Sequence, residues 1–205
     1  MKAVLASHNK GKLKEMQLWL APLDIQVVLE SELGLNIDVD ETGTTFEENS
    51  LLKARTVAQA ANMLAIADDS GLCVDALDGA PGVFTARYGG EGLDDRQRYE
   101  LLLKNMEGKT DRGAKFVSVV TCVFPNGDVI AARGEVPGAI THAPKGDGGF
   151  GYDPVFMVTA QGKTLAEMTM EEREGCSHRA AAIRSLSEKL AAYREERNKE
   201  GMEWN

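Results

Sequence analysis

A chain of 205 residues is long enough to bury one sizeable core, as one large domain or as two closely packed lobes. Its net charge of −9 argues against nonspecific binding to nucleic acid or to an anionic membrane, whose phosphates would be repelled, although local donors or a bound metal could still hold one small anion. Cys73, Cys122 and Cys176 are odd in number and widely spaced, so they read as free thiols of a reducing cytosol; the apolar runs are too short to span a membrane, and the first six residues lack a signal-peptide core.

Lys2 to Ala6 predicts a short buried strand, and Gly11 to Leu20 a helix with Leu13, Met16 and Leu20 on one face. Thr45-Phe46-Glu47-Glu48 has capping-box spacing, and Leu51, Leu52, Ala54, Ala58 and Ala61 behind it predict a second helix. The apolar run Leu64-Ala65-Ile66-Ala67 predicts a short strand that closes on Asp68-Asp69, with Ser70-Gly71 as a tight turn. Asp94 or Asp95 caps a further helix through Tyr99, Leu102 and Leu103 that stops near Gly108. Phe116 to Phe124 and Val129 to Arg133, separated by Pro125-Asn126-Gly127-Asp128, predict an antiparallel hairpin. Val155 to Val158 predicts another strand, and Ile183, Leu186, Leu190 and Tyr193 a long final helix. Crossover units followed by a hairpin predict an α/β fold with a mixed sheet, and no linker, repeat or low-complexity tract interrupts it.

Four short stretches carry chemistry. A carboxylate pair at Asp68-Asp69 can hold magnesium through oxygen and take a proton from water; the plain alternative is ordinary turn chemistry. Ser7-His8-Asn9-Lys10-Gly11-Lys12 lies between a strand and a helix, where backbone N–H groups, small polar side chains and two lysines suit a phosphate. It is not a Walker A loop, since Leu13 follows Lys12, and the plain alternative is that Asn9 caps the helix while the lysines stay in solvent. In Gly146 to Pro154, glycines bring backbone close to a flat ligand, Phe150 can stack on a base, and Tyr152 and Asp153 offer polar edges; otherwise Phe150 is tucked into the core. Ser177-His178-Arg179 places basic residues at a helix start, which costs a few tenths to about 1 kcal/mol unless an anion or polar ligand compensates. Arg173 either joins that edge or belongs to an exposed charged helix.

Together these stretches resemble the inosine triphosphate pyrophosphatase, or Ham1-like, family across essentially the whole chain. The resemblance is carried in order by Ser7 to Lys12, Glu41-Thr42-Gly43-Thr44-Thr45-Phe46 with Glu48-Asn49, Lys53-Ala54 and Asp68-Asp69-Ser70-Gly71. It continues through Gly79-Ala80-Pro81-Gly82, Ala86-Arg87-Tyr88, Gly148 to Pro154 and Ser177-His178-Arg179. It implies an elongated mixed β-sheet with flanking helices forming two lobes of one domain over residues 1–205, and typically a homodimer. It also implies a magnesium-dependent hydrolase that cleaves inosine, deoxyinosine and xanthosine triphosphates between the first and second phosphates. Carried over by position, Asp69 is the proton acceptor and a metal ligand, and Glu41 helps hold Mg2+. Ser7, His8, Asn9, Lys10, Gly11 and Lys12, with Lys53 and Ser70, hold phosphates and sugar. Phe150, Gly151, Tyr152 and Asp153, with His178 and Arg179, surround the base. Ser7 stands where threonine is common, and Arg173 where many members place a base-contacting lysine; a forked guanidinium is not equivalent to a compact ammonium.

The residues agree on a mechanism: Asp69 with Glu41 or Asp40 anchors magnesium, and a carboxylate deprotonates the water that attacks the first phosphorus. No covalent intermediate is required. Two rivals remain, a nucleotide-binding sensor without turnover and a Maf-like pyrophosphatase of other modified nucleotides.

Overall fold

Ala3, Val4 and Leu5 are all fully buried, so Lys2–Leu5 is apolar on both faces and forms β1, a central parallel strand. The structure, a computed structural model, describes residues 1–201. β1 pairs in parallel with β2 (Gln26–Leu29) on one side and with β3 (Leu64–Val74) on the other. The crossovers are α1 (Lys10–Leu20) and α2 (Phe46–Ala61). β2 has no counterpart among the sequence expectations, because Gln26-Val27-Val28-Leu29 is too short an apolar run to show a period of its own.

Four more strands complete a seven-stranded sheet: β4 (Gly113–Val123), β5 (Val129–Ile140), β6 (Phe156–Val158) and β7 (Lys163–Thr164). The order is β2-β1-β3-β4-β5-β6-β7, and the β5/β6 and β6/β7 pairs are antiparallel. The sheet is therefore mixed, as the crossover and hairpin signals predict. Phe124 N–H donates to the Asp128 carbonyl at 2.9 Å, closing the turn between β4 and β5. β5 runs to Ile140, seven residues beyond the predicted end at Arg133.

One expectation is overturned. Ser70-Gly71 is not a turn: β3 continues through it to Val74, and Gly71 is absent from the positive-φ positions. Leu72 and Val74 are fully buried, so their burial outweighs the turn preference of an Asp-Asp-Ser-Gly run.

The chain divides into two compact units that alternate along the sequence, and β3, β4 and β5 each contribute residues to both. The first comprises Met1–Asp69, Ser118–Gly134 and the chain from Arg179 onward. Alternation along its strands builds two apolar layers. Leu5, Leu64 and Ile66 pack with Met16 and Leu20 of α1 and with Ile183, Leu186 and Leu190 of α5 (His178–Lys199). Val4, Ala65 and Ala67 face the other way, toward Ala54, Val57 and Ala58 of α2. The second unit, Ser70–Val117 and Glu135–His178, has its own core of Leu72, Val74, Leu102, Met106, Phe116, Ile140 and Phe156. It carries α3 (Asp95–Asn105) and α4 (Met170–Glu174).

Caps explain several boundaries. Thr45 Oγ1 accepts from Glu48 N–H at 3.1 Å, starting α2, but Glu48 returns its carboxylate to Thr44, one residue earlier than a capping box requires. At α3 the box is complete: Asp94 accepts from Gln97 N–H at 2.8 Å, and Gln97 accepts from Asp94 N–H at 2.9 Å. The three cysteines are free thiols, and burial pushes the Cys122 thiol pKa up. Among the described residues no helix is long and apolar enough to cross a membrane.

Candidate active site

Adjacent residues of a strand point to opposite faces, so Asp68 and Asp69 do not form one carboxylate pair. This corrects the reading of the two as joint holders of an ion. Asp68 shares the face of Leu64 and Ile66, which α1 and α5 cover. There Lys12 Nζ donates to its Oδ1 at 2.8 Å and Arg179 Nε to its Oδ2 at 3.3 Å. Burial to 2% exposure would raise the Asp68 pKa, but Lys12, Arg179 and Lys53 overcome it and hold the carboxyl below its ordinary value. Asp69 shares the face of Ala65 and Ala67, which α2 covers, and meets Lys53 and Asn49.

Lys53 is the hub of that second face. Its Nζ donates to Glu41 Oε1 at 2.6 Å and to Asp69 Oδ1 at 3.4 Å. Burial alone would lower the Lys53 pKa; the Asp69, Glu41 and Asp68 carboxylates raise it instead. The Asp69 pKa moves up, chiefly through burial and with help from the Glu41 charge, while Lys53 and Asn49 oppose the rise. A carboxylate shifted upward is a better base near neutrality. Glu41, and not the exposed Asp40, is the acid that joins Lys53 and Asp69.

Asn49 is a functional candidate the sequence reasoning passed over, although it stands in the motif. It is fully buried; its Nδ2 donates to Asp69 Oδ2 at 3.2 Å, and its Oδ1 accepts from Gly43 N–H at 2.8 Å. A Cβ on Gly43 would lie 2.6 Å from that same Oδ1, which explains the glycine. The amide thus aims the Asp69 carboxylate. Asn49→Ala leaves Gly43 N–H and Asp69 each short of a partner, so it should cost about 1–3 kcal/mol of stability, read from the urea midpoint.

In the loop before α1, Asn9 does cap the helix: its Oδ1 accepts from Gly11 N–H at 2.8 Å and from Lys12 N–H at 3.3 Å. Ser7 Oγ accepts from Asn9 N–H at 3.1 Å, and His8, Lys10 and Gly11 are exposed. Lys12 is not a solvated lysine, since Asp68 holds it. The charge placement at the start of α5 is likewise compensated inside the protein, because Arg179 pairs with Asp68 and, through Nη1, with Glu15 at 3.3 Å.

The remaining predicted residues belong to the second unit. Ser70 follows Asp69 on β3 and is half-buried. Phe150 is 79% exposed, so it is not tucked into the core. Tyr152 and Asp153 are buried instead, and their polar atoms shape the loop: Tyr152 Oη donates to the Thr85 carbonyl at 2.9 Å, and Asp153 Oδ2 accepts from Phe150 N–H at 3.1 Å. Burial pushes the Asp153 pKa up, against the pull of Phe150 N–H and Arg173. Gly149 has φ +79°, and a Cβ there would overlap the Asp153 carboxylate. Arg173 lies on α4 and its guanidinium packs against Gly148, while its buried Nε has no hydrogen-bond partner. The His178 ring stacks on Phe116 with centroids 5.1 Å apart and planes at 16°.

Among the described residues no group of three His, Cys, Asp or Glu side chains is placed to hold a metal. The donor set nonetheless fits magnesium. Glu41 and Asp69 are hard oxygen donors that converge on Lys53, and magnesium is commonly held by one or two carboxylates with substrate phosphates and water completing its shell.

The sequence profile of the Ham1 family matches residues 3–189. A dITP/XTP pyrophosphatase of Synechocystis sp. is 50% identical, over 89% of this chain and 92% of that protein. One of Thermus thermophilus is 46% identical, over 95% of this chain and 93% of that protein. The solved structure of the Staphylococcus aureus Ham1 protein superposes with a TM-score of 0.89 at 41% identity, covering 94% of this chain and all of that one. A HAM1 protein from Coxiella burnetii gives 0.88 at 39% identity, over 94% of this chain and 99% of that one. A profile spanning nearly the whole chain, relatives at this identity and structures at this similarity together show that the chain belongs to the Ham1 family.

Proposed function

We propose that this chain is a magnesium-dependent nucleoside triphosphate pyrophosphatase. It hydrolyses dITP, ITP and XTP to the monophosphate and pyrophosphate, as a cytosolic homodimer, and so clears non-standard purines from the nucleotide pool. The observation that carries the reading is the convergence of Glu41 and Asp69 on Lys53, in a chain whose relatives are dITP/XTP pyrophosphatases.

The first unit supplies the phosphate chemistry. Lys53 and Lys12 are part-buried cations suited to phosphate oxygens, while the Asn9, Gly11 and Lys12 N–H groups of the loop are taken by Ser7 and Asn9 and fix its shape. Glu41 and Asp69 would hold magnesium, which when bound neutralises phosphate charge and lowers the pKa of a bound water. Asp69, its orientation fixed by Asn49, accepts the proton of the attacking water. Lys53 offsets negative charge as the leaving pyrophosphate departs. In the second unit, the exposed Phe150 ring offers a stacking face to the base, and the Arg173 guanidinium, packed against Gly148, brings N–H donors to the same loop.

Product analysis tests this reading. Each triphosphate consumed should yield one nucleoside monophosphate and one pyrophosphate, turnover should stop on chelation, and added magnesium should restore it. Orthophosphate with a diphosphate product would refute cleavage at the first phosphorus, and full turnover in chelator would refute the metal.

A further inference from the structure

The loop that carries Phe150 is held by Asp95, a residue the sequence offers only as a helix cap. Asp95 opens α3, yet its carboxylate does not cap that helix, a task Asp94 and Gln97 complete between them. Its Oδ2 instead accepts from the N–H of Gly151, 56 residues away, at 2.8 Å. The preceding N–H, that of Phe150, goes to Asp153 Oδ2. Two successive peptide donors are thus taken by two carboxylates, and the next residue, Tyr152, is buried with its hydroxyl on Thr85. Gly151 has φ +59°, a conformation with little steric support of its own. An exposed aromatic ring on such a backbone would sample many orientations, and these anchors remove that freedom before a ligand arrives.

We propose that Asp95 is a positioning residue for base recognition: by accepting the Gly151 N–H it fixes the 149–153 loop so that the exposed Phe150 ring presents its face to a flat purine. The assignment rests on the reading of Phe150 as a base contact. Asp95 touches neither the phosphates nor the reacting atoms, so it acts on binding through Gly151. A carboxylate at a helix start is also favoured by the helix dipole, and a carboxylate accepting from an N–H makes a charge-assisted bond.

The test uses the full chain. Asp95→Ala should raise the KM for inosine triphosphate roughly tenfold, the worth of one charge-assisted hydrogen bond, and change kcat less than about twofold. Asp95→Asn keeps an acceptor oxygen without the charge and should raise KM only about threefold. In both variants the Gly151 amide proton resonance should move upfield, more in the alanine variant. A purely structural role would lower the melting temperature and leave KM alone, and that result overturns the proposal. So does an unmoved Gly151 resonance, or a KM that falls, which would mean that the ligand competes with Asp95 for this N–H. Phe150→Ala separates the two layers of the argument. If it leaves KM unchanged, the base-contact reading fails; if it raises KM while both Asp95 variants match the wild type, that reading stands and the Asp95 assignment fails.

Discussion

Asp69→Asn is expected to lower turnover by at least ~10²-fold, the usual contribution of a positioned general base, while the protein stays folded. The substitution keeps the shape, and the Asn49 amide can still donate to the new side-chain oxygen. What it removes is an acid whose ionised form burial disfavours. The folded pKa of Asp69 is raised, so the stability linked to its proton is present below the unfolded value and is lost as pH rises through the folded value. Asparagine suffers no such loss. The variant should therefore melt no lower than the wild type at neutral pH, with any advantage closing as the solution is acidified toward the ordinary aspartate range. Thermal melts at both pH values, run beside steady-state kinetics with inosine triphosphate, check this. Near-normal turnover in the folded variant would move the role of base to Glu41, the other carboxylate on Lys53.

The fold of this chain was legible where motif and periodicity agree. The apolar run from Leu64 marks a buried strand, and the acids after it, expected as an ion-holding pair, meet lysines from α1 and α2. What the residue order alone concealed was direction. Reading Asp68-Asp69 as a pair at a strand end overlooks that a strand continuing to Val74 sends the two carboxylates to opposite faces, one to Lys12 and Arg179 and the other to Lys53. The turn preference of Ser70-Gly71 is local, and the burial of Leu72 and Val74 that overrides it is tertiary. Asn49 was missed for a similar reason. An asparagine in the second turn of a helix looks like surface, and only its placement under β3 reveals an amide spent on Gly43 and Asp69. The helix-start basic residues are the converse case: the unfavourable charge of Arg179 is a sound sequence signal, but its compensation comes from Asp68 and Glu15 within the chain. Asp95 reads in the sequence only as an alternative cap to Asp94, because its bond to Gly151 joins positions 56 residues apart.

Catalytic efficiency on inosine and xanthosine triphosphates is expected to exceed that on ATP by ~10³-fold or more, the scale available to a site built around specific polar contacts. A keto oxygen at position six of the purine accepts a hydrogen bond, whereas the amino group of adenine donates one. The loop amides are poor candidates for the matching donor, since Phe150, Gly151 and Asp153 N–H are already given to Asp153, Asp95 and the Phe150 carbonyl. Arg173 is the better one, because its guanidinium lies against Gly148 of the same loop and a donor buried by a base without an acceptor costs about 1–3 kcal/mol. A keto purine relieves that cost and adenine adds a second donor to it, so the two bases differ by more than one hydrogen bond. Lysine at this position would offer a single movable ammonium; the planar fork of arginine fixes where the acceptor must lie and should sharpen the distinction. Guanine shares the keto oxygen, so its exclusion depends on the two-amino group meeting either a steric barrier or no acceptor, and the rejection of GTP should be separable from that of ATP. Arg173→Met removes the donor at similar length and should narrow the gap between inosine and adenine substrates while leaving GTP rejection in place. Comparable efficiency on ATP in the wild type, measured at one magnesium concentration, would overturn base selectivity even with pyrophosphate as the product. An unchanged inosine-to-adenine ratio in Arg173→Met would return the donor to His178 or Arg179.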